Sequence, residues 1–122
     1  MSLSFPKAEK LCGKREIAAL LTHGRRGGSG CLRYCFLPNT LEYSRILVSV
    51  PKKHFKRAVK RNLLKRHIRE AFRLQKDMLQ DGLPSRYDIL FTYVDNEIAD
   101  YGTIRAAVAA ILSEIRRQGT GS

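Results

Sequence analysis

The chain reads as an α+β domain, a two-layer sandwich in which helices cover one side of a small sheet. Three observations carry that reading. Leu64, Ile68, Ala71 and Phe72 recur at steps of three and four, the apolar stripe of a helix with one buried face. Arg45 to Val50 (RILVSV) and Tyr87 to Val94 (YDILFTYV) are β-branched and apolar, as strands inside a sheet are. A chain of 122 residues suits one core, so these elements must share it.

In order, Met1 to Cys12 reads as an extended lead-in, with Pro6 blocking early helix and Phe5 as a possible anchor. Lys14 to Thr22 has helical spacing in Ile17, Leu20 and Leu21, and His23-Gly24 stops it. Arg25 to Gly30 (RRGGSG) reads as a flexible basic loop. Cys31 to Leu37 alternates, with Leu32, Tyr34 and Phe36 on one face and Arg33 and Cys35 on the other, the pattern of a half-buried strand that Pro38-Asn39 ends. Arg45 to Val50 follows after a short connection, so these two strands are expected to pair antiparallel. The helix carrying the Leu64 stripe fades into DMLQDGLPSR, where Gly82 and Pro84 break it. After the Tyr87 strand and an acidic loop, Thr103 is the expected N-cap of a last helix, Ile104 to Arg117. Its buried stripe is Ile104, Val108, Ile111, Leu112 and Ile115. Gly119 to Ser122 is a frayed tail. The whole is one domain, residues 1 to 122, with an ordered core from about residue 5 to 118.

Charge is concentrated to an unusual degree. Eleven of the 23 Lys and Arg residues fall between Lys52 and Lys76, where Glu70 is the only acid, so this stretch holds +10 of the net +12. Asn62, Lys65, Arg66, Arg69, Arg73 and Lys76 fall within about 100° of one another around the helix, beside the apolar stripe. Solvated basic faces usually carry interspersed acids in i,i+4 pairs; here they are almost absent, so the repulsion requires an external polyanion. The expected ligands are Lys52, Lys53, Lys56, Arg57, Lys60, Arg61, Asn62, Lys65, Arg66, Arg69 and Arg73. Leu63, His67 and Leu74 lie on a third side, which predicts that more than one element covers this helix.

Other chemistries find little support. No apolar run approaches the roughly 20 residues of a membrane span, and the N-terminus lacks a signal-peptide core, so a cytoplasmic protein is the default. Cys12, Cys31 and Cys35 are odd in number, which excludes a complete disulfide framework and suits free thiols in a reducing compartment. Cys31 and Cys35 with His23 make a poor zinc set, because no second close-spaced ligand pair exists. His23, His54 and His67 are isolated from acids that could orient them for catalysis. Asp77, Asp81, Asp88, Asp95, Glu97 and Asp100 match no metal-loop spacing. Nucleic-acid binding is the positive signal, shared by an RNA-processing protein, a structural RNA-binding protein and a DNA regulator. No short helix and turn precede the basic helix, which weakens the helix-turn-helix alternative. Tyr34, Phe36, Phe91 and Tyr93 could stack unpaired bases or fill the core; Tyr34 is the better stacking candidate, since its hydroxyl favours a wet edge.

The stretch VSVPKKHFKRAVKRNLLKRHIREAFR resembles the signature of the protein subunit of bacterial ribonuclease P. The agreement lies in Lys52-Lys53, Ala58-Val59, Arg61-Asn62, Lys65-Arg66 and Arg69-Glu70. Weaker agreement covers most of the chain. Leu63 stands where the family carries Arg, the Gly common after Lys-Lys is missing, and Ile17 and Leu21 replace two frequent Phe residues. The resemblance implies a fold like the second domain of a ribosomal S5-type protein, with a left-handed βαβ crossover around the basic helix, against the usual hand. It implies a protein subunit of an endoribonuclease that binds the catalytic RNA, pairs with it one to one as a monomer, and helps remove the 5′ leader of precursor tRNA. The catalytic centre would lie in the RNA, with Mg²⁺ bound mainly there. The single-stranded leader would sit in a cleft between the first helix and the sheet, lined by Ile17, Leu21, Tyr34 and Phe36, with Lys65 and Arg69 at its basic side.

Overall fold

The computed structural model describes residues 13–80 and 82–120. The lead-in with Phe5, Cys12, Asp81 and the end of the tail lie outside the described residues. The elements are α1 (Lys14–His23), β1 (Arg25–Ser29), β2 (Leu32–Asn39), β3 (Arg45–Ser49), α2 (Ala58–Gln75), a 3-10 turn (Lys76–Leu79), β4 (Arg86–Tyr93) and α3 (Tyr101–Thr120). The strands form one mixed sheet in the order β1-β2-β4-β3. β1 and β2 are antiparallel, as are β2 and β4, while β3 lies parallel to β4 and reaches it through α2.

The helical stripes dock as their periodicity requires. Leu64, Ile68, Ala71 and Phe72 of α2 are fully buried. Ile104, Val108, Ile111, Leu112 and Ile115 of α3 join them against one sheet face, which supplies Leu32, Tyr34, Phe36, Ile46, Val48, Ile89, Phe91 and Tyr93. Period-two alternation along β2, β3 and β4 delivers these side chains to the same face. On α2's third side, Leu63 and His67 are half-buried and the His67 ring stands edge-on to Tyr101 of α3, whereas Leu74 is exposed.

Five expectations are corrected. Arg25 to Ser29 is a strand, not a loop: it pairs with β2 from Arg25↔Phe36 to Ser29↔Leu32. Gly27 permits this, because a Cβ there would lie 2.4 Å from the Tyr34 hydroxyl oxygen. Gly30, at φ 57°, makes the turn that returns the chain into β2. Second, β2 and β3 do not pair, because β4 inserts between them. Third, α1 is not on the side of α2 and α3. Its Leu20 packs with Cys35, and Ile17, Leu37, Leu47 and Leu90 complete a small second core on the opposite sheet face. Fourth, α3 starts at Tyr101, and the cap is Asp100, whose carboxylate accepts the Thr103 N–H at 2.7 Å. That hydrogen bond holds the Asp100 carboxyl below its ordinary value. β2 also runs through Pro38, which is tolerated because β1 ends opposite Phe36 and leaves β2 a free edge there.

Candidate nucleic-acid interface

The basic segment begins where β3 ends. Pro51 stops the strand, and the chain turns through Lys52, Lys53 and His54 before α2 starts at Ala58. Lys52, Lys53, Lys56, Arg57, Lys60, Asn62 and Arg66 are exposed, and Lys65, Arg69, Arg61 and Arg73 are half-buried. None of the eleven is in the core, in keeping with their place beside the Leu64–Phe72 stripe. The N-cap position is Arg57, with no side-chain cap and no acid in the first turn. Cations around a helix N-terminus oppose its dipole, at a cost of roughly 0.3–1 kcal/mol each when well placed. Free N–H groups and unpaired cations thus gather where a phosphate would satisfy both.

Two of the expected ligands are partly committed within the protein. Arg61 Nη1 donates to the Phe55 and Lys56 carbonyls at 2.7 and 2.8 Å. Arg73 forks onto Glu70, with Nε donating at 3.1 Å and Nη2 at 2.5 Å. That pairing holds the Glu70 carboxyl below its ordinary value and raises the Arg73 guanidinium. The cationic row is therefore a little less free than its residue count suggests.

A second feature lies on the α1 side of the sheet. An open groove of about 670 Å³ is lined by Arg26, Gly27, Gly28, Arg33, Tyr34, Cys35, Leu90, Thr92 and Val94. Cross-strand register puts Gly28, Arg33 and Thr92 in one row, and Arg26, Cys35 and Leu90 in the next. α1 borders it: Arg26 Nη2 donates to the Leu21 carbonyl at 2.6 Å, and Leu21 is 44% exposed. Ile17 is half-buried in the small second core. Because β3 and β4 are parallel and β2 runs against them, the ends of β3 and β4 lie beside the start of β2. The basic loop leaves the sheet at that end, where His54 Nδ1 donates to Asn96 Oδ1 at 2.5 Å. Groove and basic segment thus meet at one end of the sheet.

This geometry divides the four residues expected to line one cleft between the two sheet faces. Tyr34 and Phe36 do not face α1. Their rings pack 6.0 Å apart in the main core, and Phe36 stands edge-on to Tyr87. Tyr34 is among the residues that line the groove, but its ring belongs to the main core; its hydroxyl lies over Gly27, and burial pushes its phenol up. The physical reason is the strand period: the residues that face α1 are the alternate set, Arg33, Cys35 and Leu37. Alternation already put Arg33 and Cys35 together on the face opposite Tyr34, so that signal was present. Arg26, Gly28, Thr92 and Val94 had no comparable signal, because their place depends on which strands pair.

Several of the remaining chemical groups have structural employment. Asp88, 7% exposed, accepts Arg45 Nε and Nη2 at 2.9 and 2.7 Å and Asn39 Nδ2 at 2.8 Å. Asp95 Oδ1 accepts the Glu97 N–H at 3.2 Å. Phe91 is core, and the Tyr93 hydroxyl bridges Glu97 and Ala99 of the loop after β4. Cys31 and Cys35 are free and buried, and Cys35 Sγ donates to the Leu20 carbonyl at 3.1 Å. Desolvation pushes both thiols above their ordinary value, which lowers the thiolate fraction at neutral pH. Native protein should therefore react with iodoacetamide at Cys31 and Cys35 far more slowly than denatured protein at the same pH; equal rates would contradict the burial. Among the described residues no helix is long and apolar enough to cross a membrane.

Comparison with known proteins agrees with this architecture. The family model for Ribonuclease P matches residues 5–116. The ribonuclease P protein component of Porphyromonas gingivalis strain W83 is 38% identical over 120 residues, covering 93% of this chain and 88% of the relative. That of Thermotoga maritima is 30% identical over 120 residues, covering 94% and 98%. The solved structure of the Thermotoga maritima RNase P protein superposes with a TM-score of 0.73 at 27% identity, over 87% of this chain and 96% of its own. The Staphylococcus aureus RNase P protein shares the fold, with a TM-score of 0.75 at 21% identity over 89% and 96% of the two chains. With the motif, the sheet and the match along nearly the whole chain in agreement, this chain belongs to the bacterial ribonuclease P protein family, the protein component of a tRNA-processing ribonucleoprotein.

Proposed function

We propose that the face built from Lys52–Arg73 binds the catalytic RNA of ribonuclease P, and that the groove beside α1 holds the single-stranded 5′ leader of precursor tRNA. The chain thereby assists endonucleolytic removal of the leader. The observation that carries this reading is the meeting of an acid-poor cationic helix start with an open groove that carries Arg26 and Arg33 of its own. Cations fix a polyanion's backbone without regard to sequence, which suits a protein that must accept many leaders. The groove floor, Leu90 and Val94, gives apolar contact for unstacked bases. The cationic face offers no free carboxylate, since Glu70 is held by Arg73, so Mg²⁺ belongs with the RNA, where it would activate the attacking water. The protein acts in the cytoplasm as a monomer, one to one with that RNA.

Reconstitution tests the reading. Adding this protein to the catalytic RNA at low Mg²⁺ should accelerate leader cleavage, and no acceleration at any protein concentration would contradict it. Leu21, exposed on the groove's border, offers apolar contact without a π face. Leu21→Phe should increase the affinity for precursor over mature tRNA several-fold, given roughly 1–3 kcal/mol for stacking one base. Competition binding checks this; an unchanged ratio would place the leader away from α1.

A further inference from the structure

We infer that Arg61 is a positioning residue, which locks the turn before α2 so that Lys52, Lys53, Lys56 and Arg57 are presented in fixed array. The inference rests on the RNA-binding reading for its consequence, but its physical content concerns the free protein. Arg61 is one cation in the most crowded cationic stretch of the chain, so charge alone makes its position unfavourable. Its guanidinium nevertheless turns back on the protein. Both hydrogens of Nη1 are used, one on the Phe55 carbonyl at 2.7 Å and one on the Lys56 carbonyl at 2.8 Å. Such bonds are charge-assisted and stronger than neutral ones. They satisfy two consecutive carbonyls just outside the helix, in a turn whose N-cap residue, Arg57, supplies no side-chain cap.

The turn has other anchors: upstream, His54 bonds Asn96 through its ring and the Pro51 carbonyl through its N–H, and next to the clamp lies Phe55. Phe55 is 6% exposed and packs against the Tyr93 ring with centroids 5.8 Å apart. Phe55 fixes the turn by its side chain, and Arg61 fixes it by its backbone. Lys56 and Arg57, the next two residues, have exposed side chains, and both of their carbonyls accept from Arg61. A loop that carries several like charges spreads unless it is held, and each cation then reaches the RNA only after an ordering cost. A planar guanidinium can hold two carbonyls with one nitrogen and still keep Nε and Nη2 for a phosphate.

The two possible roles of Arg61 predict opposite signs in the free protein. Removing a charge from a repelling cluster should tighten the turn; removing a clamp should loosen it. The test is limited trypsin digestion of the free, full-length native protein, comparing the rate of cutting after Lys56 with that after Arg69. Arg69 lies in the middle of α2, so cutting there reports global unfolding. In Arg61→Ala, cutting after Lys56 should rise about tenfold relative to cutting after Arg69. Arg61→Lys, which keeps a cation able to donate to both carbonyls, should restore much of the protection. An unchanged or lower ratio in Arg61→Ala would overturn the inference whatever the RNA result. In binding to the catalytic RNA, Arg61→Ala and Lys56→Ala should be sub-additive, because the released lysine has already lost its placement. Strictly additive losses would reduce Arg61 to an independent phosphate contact and overturn the positioning role.

Discussion

Ile68→Ala should cost roughly 2–5 kcal/mol of folding stability, measured by denaturant unfolding. Ile68 is fully buried between α2, the sheet and α3, so truncation leaves a cavity that well-packed neighbours fill only in part. Its sequence neighbour should behave in the opposite way. Arg69 is half-buried on the cationic side of α2, with the repelling Lys65 and Arg66 one turn before it. Arg69→Ala should weaken RNA binding while stability holds or rises, because like-charge repulsion falls. The pair separates the packing face of α2 from its binding face within two adjacent residues. Unfolding by Arg69→Ala together with a silent Ile68→Ala would mean that the helix is rotated from the orientation described.

Affinity for the catalytic RNA should collapse with salt. If the Lys52–Arg73 face neutralises about six phosphates, the log–log slope is near −5 for duplex-like contacts. Between 50 and 200 mM salt that amounts to about a thousandfold loss. The expectation follows from ten cations and one acid between Lys52 and Arg73, and from the exposure of most of those cationic side chains. Filter binding over a salt series gives the slope directly. A nearly flat dependence would mean that the cations are spent within the protein, as Arg73 is on Glu70.

The parts of the fold legible in the sequence are those set by local periodicity. The α2 and α3 stripes emerge as buried residues without exception, because a 3.6-residue repeat with no competing face has one solution. β1 was hidden because Arg25–Ser29 has no apolar pattern; its strand character comes from β2 and from the space Gly27 leaves for Tyr34. Proximity along the chain favours pairing β2 with β3, but the later β4 is apolar enough to take the place between them. The side on which α1 docks is a tertiary fact: Ile17 and Leu20 say that the helix has a buried face, not which sheet face receives it. Tyr34 fits cleft and core equally well for the same reason, since an aromatic ring suits either stacking or packing. The cationic residues themselves were legible as a set. Their individual duties, such as Arg61's hold on two carbonyls, depend on a turn that no repeat encodes.

The central claim is a division of labour, with the basic face for the catalytic RNA and the groove beside α1 for the leader. The most direct measurement is the ratio of precursor to mature tRNA affinity in the reconstituted complex, for the wild-type protein and for Arg33→Ala. Arg33 is exposed, lies in the groove row with Gly28 and Thr92, and is outside the Lys52–Arg73 segment. The account predicts that Arg33→Ala lowers the ratio by roughly fivefold, the loss of one exposed charge-assisted contact, while affinity for the catalytic RNA alone is nearly unchanged. An unchanged ratio with weakened binding of the catalytic RNA would contradict the account, for the groove would then face the wrong partner.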